Sequence, residues 1–165
     1  MSLKAPPATN ENISKSMRSN KGKGTKPELV VRKILRDLGY PGYRLNWKKA
    51  PGRPDIAYPG RRIAIFVNGC FWHHCPKCNL PMPKSHQDYW IPKIERNVQR
   101  DAEKTRELEE SGWTVETIWE CELRKEPEAV IGRLELLLTK ARSNRPVYFG
   151  LQRDCRGIRD SGLIS

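Results

Sequence analysis

Four cysteines constrain this chain more than any other feature. Cys70, Cys75 and Cys78 follow one another with the spacing Cys-x4-Cys-x2-Cys, and Cys121 lies far along the chain, just after a segment that reads as a strand. Two thiolates of a Cys-x2-Cys knuckle reach one tetrahedral ion without strain, and remote ligands complete its shell. Four cysteinates close that shell, so the pattern points to a structural Zn²⁺ and not to a catalytic one. His74 is an alternative ligand. Cys155 is read as a free thiol, and the odd total of five argues against a closed disulfide framework. Residues 68–86 hold three of the cysteines and all three histidines without any regular hydrophobic period. A long irregular stretch inside a domain is usually functional, and a metal would give it a fixed shape.

The segments around this loop have clear periods. Thr25 and Glu28 have capping-box spacing, with Pro27 in the first turn. Leu29, Val30, Ile34, Leu35 and Leu38 recur at helical intervals, and Gly39 stops the helix. Tyr43 to Trp47, Asp55 to Tyr58 and Arg61 to Val67 read as three strands separated by Pro/Gly turns. A long helix is expected from Asp88 or Ile91 to Glu110, with Ile94, Val98 and Leu108 near one face, and Gly112 ends it. Trp113 to Glu120 reads as a fourth strand and Glu126 to Ala141 as a last helix with an apolar stripe. The order α-β-β-β-α-β-α implies an α/β fold, a mixed sheet with helices packed on it.

With 165 residues there is room for one domain with a real core. Residues 1–24 form a polar, basic arm expected to be flexible, 25–142 the folded domain, and 143–165 a tail with no assigned role. Lys and Arg number 31 against 19 acids, a net charge of +12. An excess this large self-repels and points to a polyanionic partner, nucleic acid first. No apolar run of about 18 residues marks a membrane span, and residues 1–25 lack the apolar core of a secretory signal. The expected setting is the cytoplasm, where clustered cysteines more often bind metal than form disulfides.

Between Cys70 and Cys75 stand Phe71, Trp72, His73 and His74. Successive side chains of an extended segment alternate, so Phe71 and Trp72 cannot share one core, and at least one is expected to be exposed. In a basic protein such a pair can stack on bases or wedge between them. His73 has the intrinsic pKa range of a general base. Asp101 lies four residues after Asn97 on one helix face and can accept the other ring N–H of His73. Asp55 begins a strand directly after Pro54, a rigid place for a ligand to Mg²⁺, and carboxylate-held Mg²⁺ neutralises charge at a phosphodiester.

Four motifs, Pro51-Gly52-Arg53-Pro54-Asp55, Gly69-Cys70-Phe71-Trp72-His73, Asn97-Val98-Gln99-Arg100-Asp101 and Trp119-Glu120-Cys121, come in an order that resembles the very short patch repair (Vsr) mismatch endonucleases of bacteria. The resemblance runs from about Met17 to Arg142. It implies a restriction-endonuclease-like fold and a Mg²⁺-dependent nick on the 5′ side of the mismatched thymine in a T·G pair, the lesion left when 5-methylcytosine deaminates. It implies that Asp55 is the central Mg²⁺ ligand, that Val67 lends a backbone carbonyl, that His73 activates the attacking water with Asp101 orienting it, and that Glu28 assists through metal-bound water. Phe71 and Trp72 would intercalate beside the mismatch, with Met17 entering from the other groove. The implied partners are double-stranded DNA carrying a T·G mismatch and mismatch-repair proteins as activators. The protein would work as a monomer in the bacterial cytoplasm, on nucleoid DNA.

The chain departs from the better-known family pattern twice. After Phe-Trp-His the pattern places a histidine and then a cysteine as zinc ligands, whereas Cys75 and Lys77 stand here and the next cysteine, Cys78, comes one residue late. Cys78, His74 and His86 are alternatives for the fourth contact, and the Cys75–Cys78 knuckle favours Cys78. Val67-Asn68 replaces a polar–histidine pair, which leaves the backbone contact of Val67 intact and gives Asn68 no role. A sequence-specific restriction endonuclease of the same fold, and a non-catalytic zinc module that binds DNA, are the competing readings.

Overall fold

The computed structural model describes residues 24–78 and 80–143. Met17, Cys155, the expected arm before residue 24 and the tail beyond residue 143 lie outside the described residues. The first helix, α1 (Lys26–Asp37), starts as its cap predicts. Thr25 is the N-cap, its hydroxyl accepts from the Glu28 amide at 3.5 Å, and the Glu28 carboxylate accepts from the Thr25 amide at 3.3 Å. Its inward face differs by one residue from the expected stripe. Val31 and Leu35 are fully buried, whereas Leu29 and Val30 are 49% and 45% exposed. The cap fixes the reason: with Glu28 turned inward, Val31 and Leu35, three and seven residues on, share its face.

Four strands form one sheet in the order β1 (Arg44–Leu45), β2 (Ile56–Tyr58), β3 (Ile63–Asn68), β4 (Thr114–Trp119). The first three run antiparallel, joined between β2 and β3 by a 3₁₀ turn at Pro59–Arg61, and β4 lies parallel to β3. Strand β1 is shorter than the predicted Tyr43 to Trp47, because Asn46 takes a left-handed φ of 45° and leaves the ladder.

Strand β3 is buried along nearly its whole length, as its near-continuous apolar run implies. Ile63, Ile65 and Val67 face one way, into a core shared with Val31 and Leu35 of α1 and with Val130, Leu134 and Leu138 of the last helix, α4 (Pro127–Ser143). Ala64 and Phe66 face the other way, toward Leu108 of α2 (Gln87–Glu110). The architecture is therefore three layers, with helices on both faces of a mixed sheet, the restriction-endonuclease-like arrangement. One element was not expected: α3 (Glu120–Lys125), which turns directly out of β4 and carries Cys121 at its start. Among the described residues no helix is long and apolar enough to cross a membrane.

Candidate active site and metal centre

The four cysteines converge. The Sγ atoms of Cys70, Cys75, Cys78 and Cys121 all lie within 4.8 Å of one another. Cys75 to Cys121 and Cys78 to Cys70 are each 3.7 Å, far too long for disulfides, and all four are free thiols. A tetrahedron of thiolates about 2.3 Å from a zinc ion has edges of about 3.8 Å, so the two 3.7 Å pairs match it and the donor set fits Zn²⁺ in kind and number. Burial pushes the Cys70 thiol up to about 11 and that of Cys121 higher still, so these sulfurs need a cation before they can ionise. The Cys121 amide already donates to Cys70 Sγ at 3.3 Å. His74 and His86 are exposed and stand outside the cluster, which leaves Cys78 as the fourth member. The left-handed φ of His74, 48°, turns the chain inward just before Cys75.

Lys77 occupies the place where the family pattern puts a cysteine. Its Nζ lies 2.5 Å from the buried Glu122 carboxylate of α3. Glu122 also accepts from Arg133 of α4 at 2.7 Å and from the Trp119 amide at 2.8 Å. Burial opposes the Glu122 charge, but these three donors outweigh it and hold its carboxyl at about 2. The cysteine loop is thus bound to the sheet and to α4 by charge as well as by sulfur.

Strand β3 and the loop after it open into a cavity of about 590 Å³. Asp55 lines it from the start of β2, Glu28 from α1, Val67 and Asn68 from the end of β3, His73 from the loop, and Asp101 from α2. Asp55 Oδ2 accepts the Val67 amide at 2.9 Å. Burial pushes the Asp55 carboxyl up to about 6; the Val67 amide opposes that, and the nearby Glu28 carboxylate adds to it. A carboxylate made this uncomfortable by burial beside a second acid is a place where a hard cation is favoured, and an all-oxygen set suits Mg²⁺. Glu28, only 7% exposed, has two duties. It completes the helix cap, accepting also from the Gly24 amide at 2.9 Å, and it faces the cavity.

The ring of His73 bonds through Nδ1 to Asp101 Oδ2. A carboxylate can only accept, so Nδ1 is the donor of this pair, and whenever the ring is neutral Nε2 is the acceptor. Burial works against the Asp101 charge, yet the bond from His73 and the charges of His73 and Lys104 hold its carboxyl below the usual range. A second tie anchors the loop to the same helix: Asn97 Nδ2 donates to the Trp72 carbonyl at 3.0 Å. The spacing of Asn97 and Asp101 on one face of α2 therefore serves the loop twice.

Phe71 and Trp72 are both half-buried, so neither is exposed, contrary to the expectation that at least one would be. They pack on each other with ring centroids 5.1 Å apart, and each lies 5.8 Å from Trp90 at the start of α2. Trp90 was not singled out from the sequence. Lys93 was missed too; its Nζ sits 5.6 Å from the Trp72 ring centroid and 5.4 Å from that of Trp90. Arg53, Lys104 and Glu120 also line the cavity without having been predicted. Helical spacing from Asn97 and Asp101 to Lys104 was the one signal that could have found the lysine.

The family model described as DNA mismatch endonuclease Vsr matches residues 7–80. The type II nicking enzyme V.XorIIP of Xanthomonas oryzae pv. oryzae is 47% identical over 108 residues, covering 65% of this chain and 78% of that protein. The DNA mismatch endonuclease Vsr of Escherichia coli is 36% identical over 126 residues, 74% of this chain and 80% of that protein. This chain belongs to the Vsr family. The type II nicking enzyme V.NaeI of Lentzea aerocolonigenes is 37% identical over 131 residues, 76% of this chain and 78% of the relative. The Vsr family is one of DNA endonucleases, and the cavity described above is its candidate active site in this chain.

Proposed function

We propose that the protein nicks one strand of double-stranded DNA on the 5′ side of the mismatched thymine in a T·G pair. One observation carries this: two acids, Asp55 and Glu28, and a His73–Asp101 pair share one cavity, which is also lined by Trp72 of an aromatic cluster that the cysteine site brackets. Asp55 would hold Mg²⁺, helped by the Val67 carbonyl and, through water, by Glu28. Mg²⁺ bound there supplies charge neutralisation at the phosphodiester. His73 Nε2 takes the proton of the attacking water, and Asp101 keeps Nδ1–H in place and stabilises the charged ring. Cys70, Cys75, Cys78 and Cys121 would hold a Zn²⁺ with no part in the chemistry.

Phe71 and Trp72, packed against Trp90, would wedge into the duplex, and Met17 is proposed to enter from the opposite groove. Unstacking is easiest at a mismatch, which gives the wedge a physical source of selectivity. A single site in a monomer cuts one strand. The names of two relatives, both nicking enzymes, favour this over double-strand restriction.

The deciding assay incubates the protein with a T·G duplex and its fully paired control, with Mg²⁺ or with a chelator. The expected product is one nick on the thymine strand, only with Mg²⁺ and only in the mismatched duplex. Equal cutting of both strands in paired DNA would favour a restriction endonuclease instead. Binding without cleavage under any divalent metal would remove the catalytic assignment. In the same assay Trp72→Ala is expected to slow nicking about 10- to 100-fold, the loss of about 1–3 kcal/mol of stacking. Affinity for paired DNA should change little. Equal losses on both duplexes would show that Trp72 only supports the loop.

A further inference from the structure

We infer that Lys104 is a positioning residue of the nicking site, one that holds Asp101 and the turn leading to Asp55 in a single frame. The inference rests on the proposed roles of His73, Asp101 and Asp55. Lys104 stands one helical turn after Asp101 on α2 and lines the same cavity as Asp55 and His73. Its Nζ lies 3.4 Å from Asp101 Oδ1, the oxygen that His73 does not use. One carboxylate is thus gripped from both sides, by an imidazole N–H and by an ammonium. A carboxylate held at one oxygen can swing about its χ2 bond, and one held at both cannot.

The stem of Lys104 makes the second connection. A Cβ built on Gly52 would stand 2.6 Å from both Lys104 Cβ and Cγ. The lysine therefore fills the space that any side chain at 52 would need, and Gly52 also takes a left-handed φ of 65°. Gly52-Arg53-Pro54 leads directly into Asp55. The turn that sets the height of the metal-binding carboxylate thus rests on the lysine that sets the orientation of Asp101. Lys104 also borders a void of about 10 Å³, lined with it by Phe66, Asn68, Asp101, Thr105 and Thr117, room for about one water. That void shares Phe66, Asn68, Asp101 and Lys104 with the cavity.

Three variants test the idea against a T·G duplex with Mg²⁺. Lys104→Met keeps most of the stem and removes the charge, Lys104→Arg keeps the charge, and Asp101→Asn removes the group that the charge is proposed to hold. Lys104→Met is expected to lower kcat about 10- to 100-fold, the usual cost of a small misplacement, with KM within about twofold of the parent. Lys104→Arg should recover most of that loss. In an Asp101→Asn background, Lys104→Met should add almost nothing, because the two residues act as a unit. A general loss of structure would instead lower activity by the same factor in both backgrounds. Raised KM with unchanged kcat would make Lys104 a DNA-phosphate contact and overturn the inference, as would full activity of Lys104→Met or additive losses in the double variant. If Lys104→Met fails to fold, Lys104→Gln is read by the same criteria. These failures leave an active parent enzyme, whereas failure of the proposed function would leave the parent itself unable to nick the mismatched duplex.

Discussion

Asp55→Asn is expected to silence nicking while making the metal-free protein harder to unfold. Burial, opposed by the Val67 amide and reinforced by Glu28, carries the Asp55 carboxyl from 3.8 to about 6. That is about two pH units at about 1.4 kcal/mol each, or about 3 kcal/mol before discounting for the part of the group that water still reaches. About 1–2 kcal/mol remains as the working figure. The sign follows from linkage. The folded state prefers the protonated acid, so the stability is fully present below about pH 4 and is lost as pH rises through about 6. Asparagine imitates the protonated acid and can still accept the Val67 amide through Oδ1. The variant should therefore melt higher than the parent at pH 8, by several degrees, and the gap should close by about pH 4.

Added Mg²⁺ should reverse the order. A ligand that binds only the folded state raises its stability, so the parent should gain and Asp55→Asn should not. The loss of nicking should be at least about 10³-fold, since a cation that stabilises phosphoryl charge contributes several kcal/mol at about 1.4 kcal/mol per decade. Melting curves at pH 4 and pH 8, with and without Mg²⁺, check the stability half, and a single-turnover nicking rate checks the other. A parent whose melting ignores Mg²⁺, or a variant that keeps a tenth of the parent rate, would remove Asp55 as the metal ligand. The expected trade is the usual one: a site built to receive a cation is strained without it.

Much of the scaffold was legible because it rests on local signals. The capping box at Thr25 and Glu28, the stop at Gly112 and the apolar run of β3 each depend on neighbours in the chain. Helix α3 was not legible. It has six residues, too few to show a period, and it leaves β4 without a turn residue between them. The inward face of α1 was misread because Leu29 and Val30 are apolar yet exposed, and only the orientation set by Glu28 decides which stripe turns to the sheet. In the site, the acids and His73 could be named because they sit in rigid, unusual motifs. Lys93 and Lys104 lie on a helix crowded with charge, where one lysine looks like the next. Their difference is a matter of which face meets the cavity, and only the spacing of Lys104 from Asn97 and Asp101 hints at it. Trp90 joined Phe71 and Trp72 only when α2 crossed the loop.

The cysteine site yields the other large effect. Cys75→Ser is expected to lose bound zinc, to melt at least about 10 °C lower, and to nick about 100-fold more slowly even at temperatures where it is still folded. The loop from Gly69 to Cys78 has little of its own to hold it. Its buried cluster consists of Cys70, Cys75 and Cys121, with only Cys78 and Trp119 packed against them. Structural zinc contributes about 10–16 kcal/mol in small peptides, so three ligands in place of four forfeit a large share. The loop would still be tied by Asn97 to the Trp72 carbonyl, by Asp101 to His73 and by Lys77 to Glu122. Those ties predict a graded loss and not complete collapse. Cys70 and Cys75 bracket the wedge and the proposed base, so slack in the metal shell reaches Phe71, Trp72 and His73 directly, and about 1 Å at such a group is enough for a 100-fold loss. Metal analysis, thermal melting and nicking rate on one preparation separate the steps. Retention of one zinc per chain with an unchanged rate would show that Cys75 is not a ligand. Loss of zinc with an unchanged rate would detach the metal from the chemistry, leaving the ties from Asn97, Asp101 and Glu122 to guide the loop.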